Sequence, residues 1–349
     1  MTFDDPLLSP FFGDAAVAAL WSPAAQIGHM IAFERALVAA RHDSGQLAAA
    51  DAAAADAHLA ACRPDMARLA AGVAADGLVV PSFARMIREG APQPDAIHTG
   101  TTSQDVLDTA LALTLDRLTG LFTERLDALG AAFGALDKAH GANRLMGRTR
   151  MQAALPVEAG HRIRAWAAPL VQHRARLLAI RPQVARVQLG GAVGNRRPFG
   201  AEAGAIADGM ADRLGLARAP AAWHTDRSAV AEFAGLLSAL SGSLGKFGAD
   251  VALMAQMGAD EIRLAGGGAS SAMPHKQNPV LAELLVTLAR YNGAQVSAMH
   301  AALIHEQERS GAAWMLEWLT LPPMTVATGR ALTAAAELAG SVLSVGAAA

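Results

Sequence analysis

The chain has 349 residues, and its 29 Lys and Arg against 31 Asp and Glu leave a formal net charge of −2. This near balance gives no support to a nucleic-acid-binding or membrane-surface role, because such roles need an excess of basic residues. Cys62 is the only cysteine, which excludes a disulfide framework and a cysteine-based zinc site. The N-terminus is acidic and lacks the basic segment followed by an apolar segment that characterises a signal peptide. No run of about twenty apolar residues occurs. We therefore expect a cytoplasmic protein without a membrane span.

The composition favours helices. Hydrophobic residues make up 52% of the chain, but much of that share is alanine and only 5% of the residues are aromatic. Alanine is the best helix former and a poor strand former, and runs rich in Val, Ile and Thr between hairpin turns are missing. We predict an all-α protein without a substantial sheet.

The predicted helices are long. Residues 1–90 hold alanine-rich amphipathic stretches, which predict a smaller N-terminal helical domain (1–100) before a central bundle domain (101–349). Three apolar stripes with helical spacing follow, over residues 107–136, 230–254 and 281–303, and the third is interrupted by Asn292. The stripe over 230–254 is too apolar to face solvent, so we expect it to be buried between subunits.

Four breaks punctuate the helical pattern, and function tends to lie in loops of this kind. Three of them, 91–102, 141–156 and 189–200, are rich in Gly, Pro or Arg, and the longest is 265–279. The glycines at 190–195 lack the spacing of a dinucleotide site, and no metal-binding motif occurs. We expect neither a cofactor nor a metal.

The loop 265–279 combines groups that stabilise negative charge. Its glycines let the backbone approach a ligand, Ser270 and Ser271 supply hydroxyls, and Lys276 supplies a cation. Asn278 followed by Pro279 predicts a helix N-cap with proline at the first helical position. A hydroxyl, an ammonium group and a helix N-terminus together suit a developing anion.

The segment 98–104 allows two interpretations. Thr101 with Gln104 fits a capping box for a helix over 103–138. The hydroxyls of this segment either bind a carboxylate beside free backbone N–H groups or only cap the helix. His98 is either a ligand donor or a structural histidine. The three hydroxyl residues are Thr101, Thr102 and Ser103.

Residues 269–279 (ASSAMPHKQNP) resemble the signature of the fumarase/aspartase superfamily, G-S-S-x-M-P-x-K-x-N-P, with Ala269 in place of the first glycine. The segments 98–105 and 147–156 resemble the other two characteristic regions of that superfamily, in the same order. The resemblance extends from residue 1 to about 340 and adds a specific family to the helical prediction.

The resemblance implies a fumarase/aspartase-like all-α subunit with a central bundle of long helices. It also implies homotetramers in which each active site gathers its three regions from three subunits, with no cofactor. The small C-terminal helical domain of the superfamily would begin near the end of this sequence, so we expect it to be largely missing.

The resemblance also assigns roles. Ser270 would move a proton next to a carboxylate, with Ser271 as the next candidate, while Lys276 and Asn278 steady the resulting aci-carboxylate. Arg309 matches an arginine that binds a substrate carboxylate; Arg148 is either such a ligand or a solvated charge. The implied substrate-binding residues are His98, Thr101, Thr102, Ser103, Arg148, Arg150, Gln152 and Arg309.

Position 150 separates branches of the superfamily. Relatives that eliminate an amine have histidine there, because a basic leaving group needs a proton, whereas a carboxylate does not. Arg150 therefore favours the branch in which a carboxylate of a small tricarboxylate adds to a double bond and closes a lactone. Two alternatives stay open: a C–N lyase of the adenylosuccinate or argininosuccinate type, and a non-catalytic helical scaffold.

Overall fold

The structure is a computed structural model that describes residues 3–269, 272–273 and 276–348. Its α-helices are α1 (Ser9–Phe12), α2 (Ala15–Leu20), α3 (Pro23–Asp43), α4 (Ala49–Ala61), α5 (Met66–Asp76), α6 (Val80–Arg88), α7 (Ser103–His140), α8 (Ala159–Val184), α9 (Ala203–Leu214), α10 (Ser228–Met254), α11 (Val280–Ala301) and α12 (Ala312–Gly340). Short 3₁₀ helices cover Pro94–Ala96 and Arg197–Glu202. The strands are β1 (Arg144–Thr149), β2 (Gln152–Glu158), β3 (Ile262–Leu264) and β4 (Val342–Val345).

Five long helices, α7, α8, α10, α11 and α12, pack side by side as the central bundle, and α3 packs against α4, α7 and α9. The predicted all-α class with long helices is confirmed. The buried apolar core runs without a break from α3 into the bundle. A boundary near residue 100 stays a prediction.

The apolar stripe of α10 is buried within its own chain. Each stripe residue from Val230 to Met254 is at most 3% exposed, because α8, α11 and α12 cover the helix. The expectation that this stripe lies between subunits is therefore wrong. A stripe of this spacing shows that a helix has a covered face, but it does not show which chain covers that face.

Aromatic rings join three helices of the bundle. Phe247 of α10 lies 4.9 Å, ring centre to ring centre, from both Phe133 of α7 and Trp166 of α8. The indole N–H of Trp166 donates to Asp250 Oδ2 at 2.7 Å, so its polar edge is satisfied. Each such ring pair contributes about 0.5–1.5 kcal/mol beyond its buried area.

The polar residue in the third stripe joins three helices. Asn292 of α11 is fully buried and donates to Ser241 Oγ of α10 at 2.7 Å and to Thr328 Oγ1 of α12 at 2.9 Å. Buried polar groups must find such partners, so this network favours one register of the three helices.

The predicted loop 141–156 is wrong for most of its length. Residues Arg144–Thr149 pair antiparallel with Gln152–Glu158. Asn143 donates to the carbonyl of Val345 at 2.7 Å, a residue of β4, which pairs antiparallel with β3. The two-residue turn, Arg150–Met151, lacks the Asn-Gly or Asp-Gly signal from which such hairpins are recognised.

Two predicted helix caps are displaced by one residue. Thr102, not Thr101, is the N-cap of α7, and Asp105 rather than Gln104 accepts its backbone N–H at 3.0 Å. At α11 the N-cap position is Pro279, and Asn278 instead forms a β-bridge with Gly268. The starts of both helices agree with the prediction to within one residue.

By length and composition alone, the segment Ala15–Asp43 could cross a membrane. In the structure it is two helices, α2 and α3, which are separated at Trp21 and Ser22. Helix α3 packs one face, which includes Phe33 and Leu37, into the apolar core of the protein.

Candidate active site

A buried carboxylate organises the start of α7. Asp105 accepts hydrogen bonds from the backbone N–H groups of Thr102, Gly190 and Gly191 at 3.0, 2.7 and 2.8 Å, and from His224 Nε2 at 2.8 Å. These four donors surround a side chain with no exposed surface. Asp105 therefore holds the Gly-rich loop against the positive end of α7.

The glycines of that loop have a steric role. A Cβ on Gly190 would lie 2.6 Å from His224 Cε1, and one on Gly191 would lie 2.9 Å from the Gly100 carbonyl oxygen. Gly191 also has a φ of 71°, which side chains rarely adopt. The loop 189–200 thus packs its backbone directly on the segment before α7.

His98 is held by a buried glutamate. Its Nδ1 lies 2.7 Å from Glu34 Oε1, and its backbone N–H donates to Glu34 Oε2 at 2.9 Å. The Thr101 hydroxyl lies 3.3 Å from the same ring nitrogen. The ring is 14% exposed while Glu34 is fully buried. Glu34 therefore orients the ring for either of the two roles predicted for His98.

Arg309 reaches the start of α7 from the connector 302–311, which joins α11 to α12. Its guanidinium donates to Thr102 Oγ1 and to the Ala192 carbonyl oxygen, both at 2.5 Å. The structure thus brings together Arg309 and the hydroxyl segment, as the predicted site requires. A cation beside a helix N-terminus is a suitable place for a carboxylate.

The predicted arginines of the second region lie on the β1–β2 hairpin. Arg148 donates to Glu261 Oε1 at 3.0 and 2.7 Å, so its charge is already paired within the chain. Arg150 and Met151 form the turn with φ values of 52° and 67°. Arg150 and Gln152 are exposed, and the Arg150 guanidinium has no partner among the residues that the structure describes.

The signature loop begins close to that hairpin. Gly268 and Asn278 exchange two backbone hydrogen bonds, of 2.8 and 3.0 Å, which close the loop at its base. The Lys276 side chain is exposed, and its backbone N–H donates to the Met273 carbonyl at 3.0 Å. Ser270 and Ser271 lie outside the described residues.

The predicted site residues form two groups at opposite ends of the bundle. Helix α7 has 38 residues, which corresponds to about 57 Å at 1.5 Å per residue. The hydroxyl segment and Arg309 lie at its start, whereas the β1–β2 hairpin follows its end. Loop 265–279 follows Glu261, the residue that contacts Arg148 of the hairpin. One chain therefore cannot bring both groups to one small substrate.

A second buried cluster next to the start of α7 escaped the sequence analysis. Arg227 donates to Asp108 and Glu317, and all three side chains are at most 3% exposed. Burial disfavours the guanidinium charge, yet the two carboxylates together raise the pKa of Arg227 above its ordinary value. The sequence signal for this cluster was Glu317, a charged residue within an otherwise apolar run of α12.

This architecture is that of a helical-bundle enzyme with polar loops at both ends, and comparison with known proteins identifies its family. The sequence family described as "Lyase" matches residues 10–291. The chain belongs to this family, the fumarase/aspartase superfamily, as the sequence analysis predicted.

Individual relatives give more detail. The 3-carboxy-cis,cis-muconate cycloisomerase of Pseudomonas aeruginosa is 36% identical over 337 residues, which cover 93% of this chain and 73% of the relative. The nitrosuccinate lyase of Streptomyces davaonensis is 35% identical, with coverages of 96% and 74%. The crystal structure of the 3-carboxy-cis,cis-muconate lactonizing enzyme of Pseudomonas putida superposes with a TM-score of 0.89 at 34% identity, covering 97% of this chain and 77% of that one.

Proposed function

We propose that the protein converts 3-carboxy-cis,cis-muconate into 4-carboxymuconolactone, a step in the breakdown of protocatechuate. Several relatives at 34–36% identity carry the name of that cycloisomerase, in agreement with the branch that position 150 favours. The observation that carries the proposal is Arg150, an exposed and unpaired guanidinium among the described residues at the position where amine-eliminating relatives have histidine.

The proposed reaction is an internal addition. One carboxylate oxygen of the substrate forms a C–O bond to an alkene carbon, and the electron pair of the double bond moves toward a neighbouring carboxyl group as an aci-carboxylate. Ser270 then delivers a proton to the carbon and completes the lactone. Lys276 and Asn278 steady the aci-carboxylate, because a cation nearby stabilises developing negative charge.

The remaining cations would bind the three carboxylates. Arg309 lies at the positive end of α7 beside Thr102. Arg150 has no partner in the described ranges 3–269, 272–273 and 276–348, so its guanidinium can form a two-pronged pair with a carboxylate. Arg148 already pairs with Glu261, so we assign it two roles. It stabilises the hairpin, and its positive charge adds to the electrostatic attraction for the substrate carboxylates. His98, Thr101, Ser103 and Gln152 would complete the binding surface.

We also propose a homotetramer with shared active sites. The two groups of site residues lie at opposite ends of α7, so residues of at least two chains must meet at one substrate. Exposed apolar side chains on the hairpin and on α8, among them Met151, Leu155 and Val171, would be covered by neighbouring subunits. Together with the single cysteine, this soluble assembly suits the cytoplasm.

Turnover of the purified protein tests the function. We expect the diene absorbance of 3-carboxy-cis,cis-muconate to decay while a lactone forms stoichiometrically, as followed by NMR. An absence of turnover at substrate concentrations that saturate the enzyme would refute the proposal.

A C–N lyase is the second candidate, because a nitrosuccinate lyase is 35% identical to this chain. Incubation with nitrosuccinate, adenylosuccinate and argininosuccinate distinguishes the two. Release of nitrite or of a nitrogen-containing product, without lactone formation from the muconate, would establish the alternative. No turnover of any of these substrates would favour the scaffold.

A further inference from the structure

The two acceptors that hold the Arg309 guanidinium both depend on Asp105. Arg309 donates to the hydroxyl oxygen of Thr102 and to the carbonyl oxygen of Ala192. The backbone N–H of Thr102 donates to Asp105 Oδ2 at 3.0 Å. The backbone N–H of Gly191, the residue before Ala192, donates to the same oxygen at 2.8 Å. A shift of the Asp105 carboxylate would therefore move both anchors of Arg309 together.

The ring of His224 holds the other oxygen of that carboxylate. His224 Nε2 donates to Asp105 Oδ1 at 2.8 Å, where the histidine side chain is 3% exposed and the aspartate side chain is fully buried. The second ring nitrogen, Nδ1, has no hydrogen-bond partner in the part of the chain that the structure describes. Because hydrogen bonds to a charged acceptor are the strong ones, this single bond fixes the ring and the carboxylate relative to each other.

The backbone around His224 is fixed to the start of α7 as well. The side-chain amide of Gln104, which is fully buried, donates to the His224 carbonyl oxygen at 2.8 Å. The preceding residue, Trp223, donates its backbone N–H to Gln188 Oε1 at 2.9 Å, just before the Gly-rich loop 189–200. The ring of His224 therefore sits on a rigid base and has little freedom to follow a displaced carboxylate.

The Gly-rich loop also packs against the ring directly. A Cβ on Gly190 would lie 2.6 Å from His224 Cε1, and one on Gly194 would lie 3.5 Å from His224 Nδ1. These two glycines flank Ala192, whose carbonyl oxygen contacts Arg309. The loop is thus supported by the ring on both sides of the anchor that Arg309 uses.

We infer that His224 is a positioning residue for the substrate. Through Asp105 and the Gly-rich loop it fixes the two anchors of Arg309, and with them the place at which Arg309 binds a carboxylate. The inference rests on the proposed function insofar as Arg309 binds a carboxylate of the substrate. A histidine that only stabilised the core would contribute to folding without acting through Arg309, and this difference can be measured.

Three substitutions separate the hydrogen bond of the ring from its packing. His224→Phe keeps a ring against Gly190 but removes the donor to Asp105. His224→Gln keeps an amide N–H that can reach the position of Nε2. His224→Asn, whose amide is too short to reach Asp105, replaces the phenylalanine variant if that variant does not fold.

His173 provides a matched control in the middle of the bundle. It is equally a buried histidine, its Nε2 lies 2.8 Å from Ser243 Oγ, and its Nδ1 has no partner among the described residues. His173→Phe therefore removes a comparable buried hydrogen bond far along α8 from the start of α7. We expect it to lower stability without changing the anchors of Arg309.

Amide hydrogen exchange of the whole protein, followed by mass spectrometry, tests the anchors without any substrate. In His224→Phe we expect faster exchange in peptides that cover 98–105 and 188–196, because the N–H groups held by Asp105 open more often. His224→Gln and His173→Phe should exchange in these peptides like the wild type. Unchanged exchange in His224→Phe would overturn the inference whatever the protein catalyses.

Kinetics test the effect on substrate binding. We expect His224→Phe to raise KM for 3-carboxymuconate about tenfold, equivalent to about 1.4 kcal/mol. The change in kcat should be smaller, because Arg309 binds the substrate and transfers no proton. His224→Gln should recover most of KM, and His173→Phe should match the wild type. An unchanged KM in His224→Phe, or a loss confined to kcat, contradicts the positioning role.

A double-mutant cycle tests whether His224 acts through Arg309. Arg309→Lys has one nitrogen in place of the two that contact Thr102 and Ala192. If the two residues act in series, adding His224→Phe to Arg309→Lys should change KM by much less than it does in the wild type. A further rise of the same size would show independent effects and overturn the inference. Inactivity of the wild type on 3-carboxymuconate would instead contradict the proposed function, and hydrogen exchange would still decide the role of His224.

Discussion

Arg150 occupies a backbone conformation that few arginines adopt. Its φ of 52° and that of Met151, 67°, place two side-chain-bearing residues in the left-handed region of a two-residue turn. Such strain persists where the surroundings impose it and is concentrated at functional sites. The Arg150 side chain is exposed, and its guanidinium has no partner within the part of the chain that the structure describes, which suits a residue that meets a ligand from another chain.

Substitution of Arg150 separates charge from geometry. Because lysine keeps the charge but loses the two-pronged pairing, we expect Arg150→Lys to raise KM by about tenfold, or about 1.4 kcal/mol. Arg150→His should weaken lactonisation without creating C–N lyase activity. Steady-state kinetics on 3-carboxymuconate and on the succinyl adducts provide the measurement, with the exposed Arg63→Lys as the control. A wild-type KM for Arg150→Lys would remove Arg150 from the binding site.

Ser270 carries the proton transfer in the proposed mechanism. Removing a positioned acid or base costs about 10²–10⁴-fold in rate, so Ser270→Ala should lose at least a hundredfold in kcat while the substrate still binds. Ser271→Ala, which removes the neighbouring hydroxyl, is the matched comparison. If Ser270→Ala keeps more than about a tenth of the wild-type turnover and Ser271→Ala does not, the acid is Ser271.

At the scale of elements, Asp105 connects the first turn of α7 to a loop about eighty residues further along the chain. An asparagine at position 105 can still accept hydrogen bonds through its one side-chain oxygen. Its NH₂ group, however, would face N–H donors and leave them without an acceptor. Each buried donor that loses its acceptor costs about 1–3 kcal/mol. The Gly-rich loop and the segment that binds Arg309 should loosen together.

We therefore expect Asp105→Asn to lower both thermal stability and substrate affinity. Thermal unfolding followed by circular dichroism gives the first readout, and KM gives the second. Asp127→Asn removes an exposed partner of Arg174 and should have little effect, because surface ion pairs contribute about 0–1 kcal/mol. Equal melting temperatures for the two variants would show that the Asp105 network does not hold these elements.

The helices could be predicted from sequence because their signals are local. The stripe from Val230 to Met254 needs only the order of its own residues to predict a helix with one covered face. The covering surface, in contrast, consists of α8, α11 and α12, which a stripe cannot identify. The β1–β2 hairpin was missed because Arg150 and Met151 carry none of the usual turn residues.

The candidate site was predictable in part for a similar reason. Resemblance in contiguous segments predicted its residues, and the structure places Thr102 beside Arg309. The partners that hold them are distant in sequence: Asp105 meets His224, and Arg227 meets Glu317. A single sequence contains no signal for such pairs.

At the scale of the whole molecule, buried histidines link stability to pH. Burial, assisted by Arg117, lowers the pKa of His29 from 6.5 to about 4. In the unfolded chain, His29 becomes protonated as the pH falls below about 6.5. In the folded chain it stays neutral until the pH approaches about 4, so the unfolded chain binds more protons between these two values. The contribution of His29 to stability is therefore complete above that window and is lost as the pH falls through it.

Replacing His29 by glutamine should reduce the loss of stability between pH 6.5 and pH 4. The measurement is the melting temperature of His29→Gln and of the wild type across that range, with the exposed His42→Gln as control. We expect the difference between His29→Gln and wild type to shift in favour of the variant as the pH falls. A constant difference over the whole range would show that His29 does not titrate as its burial implies.

The central claim is that each active site combines residues from different chains, because one chain holds its two groups of site residues at opposite ends of a 38-residue helix. Arg309→Ala and Arg150→Ala, which remove one residue from each group, should each be nearly inactive. When the two variants are co-expressed so that their subunits mix, about a quarter of the sites receive both native arginines if the two come from different chains. We predict that lactonisation of 3-carboxy-cis,cis-muconate then recovers to about that fraction of the wild-type rate. A mixed assembly with no more activity than the two separate variants would contradict the shared site.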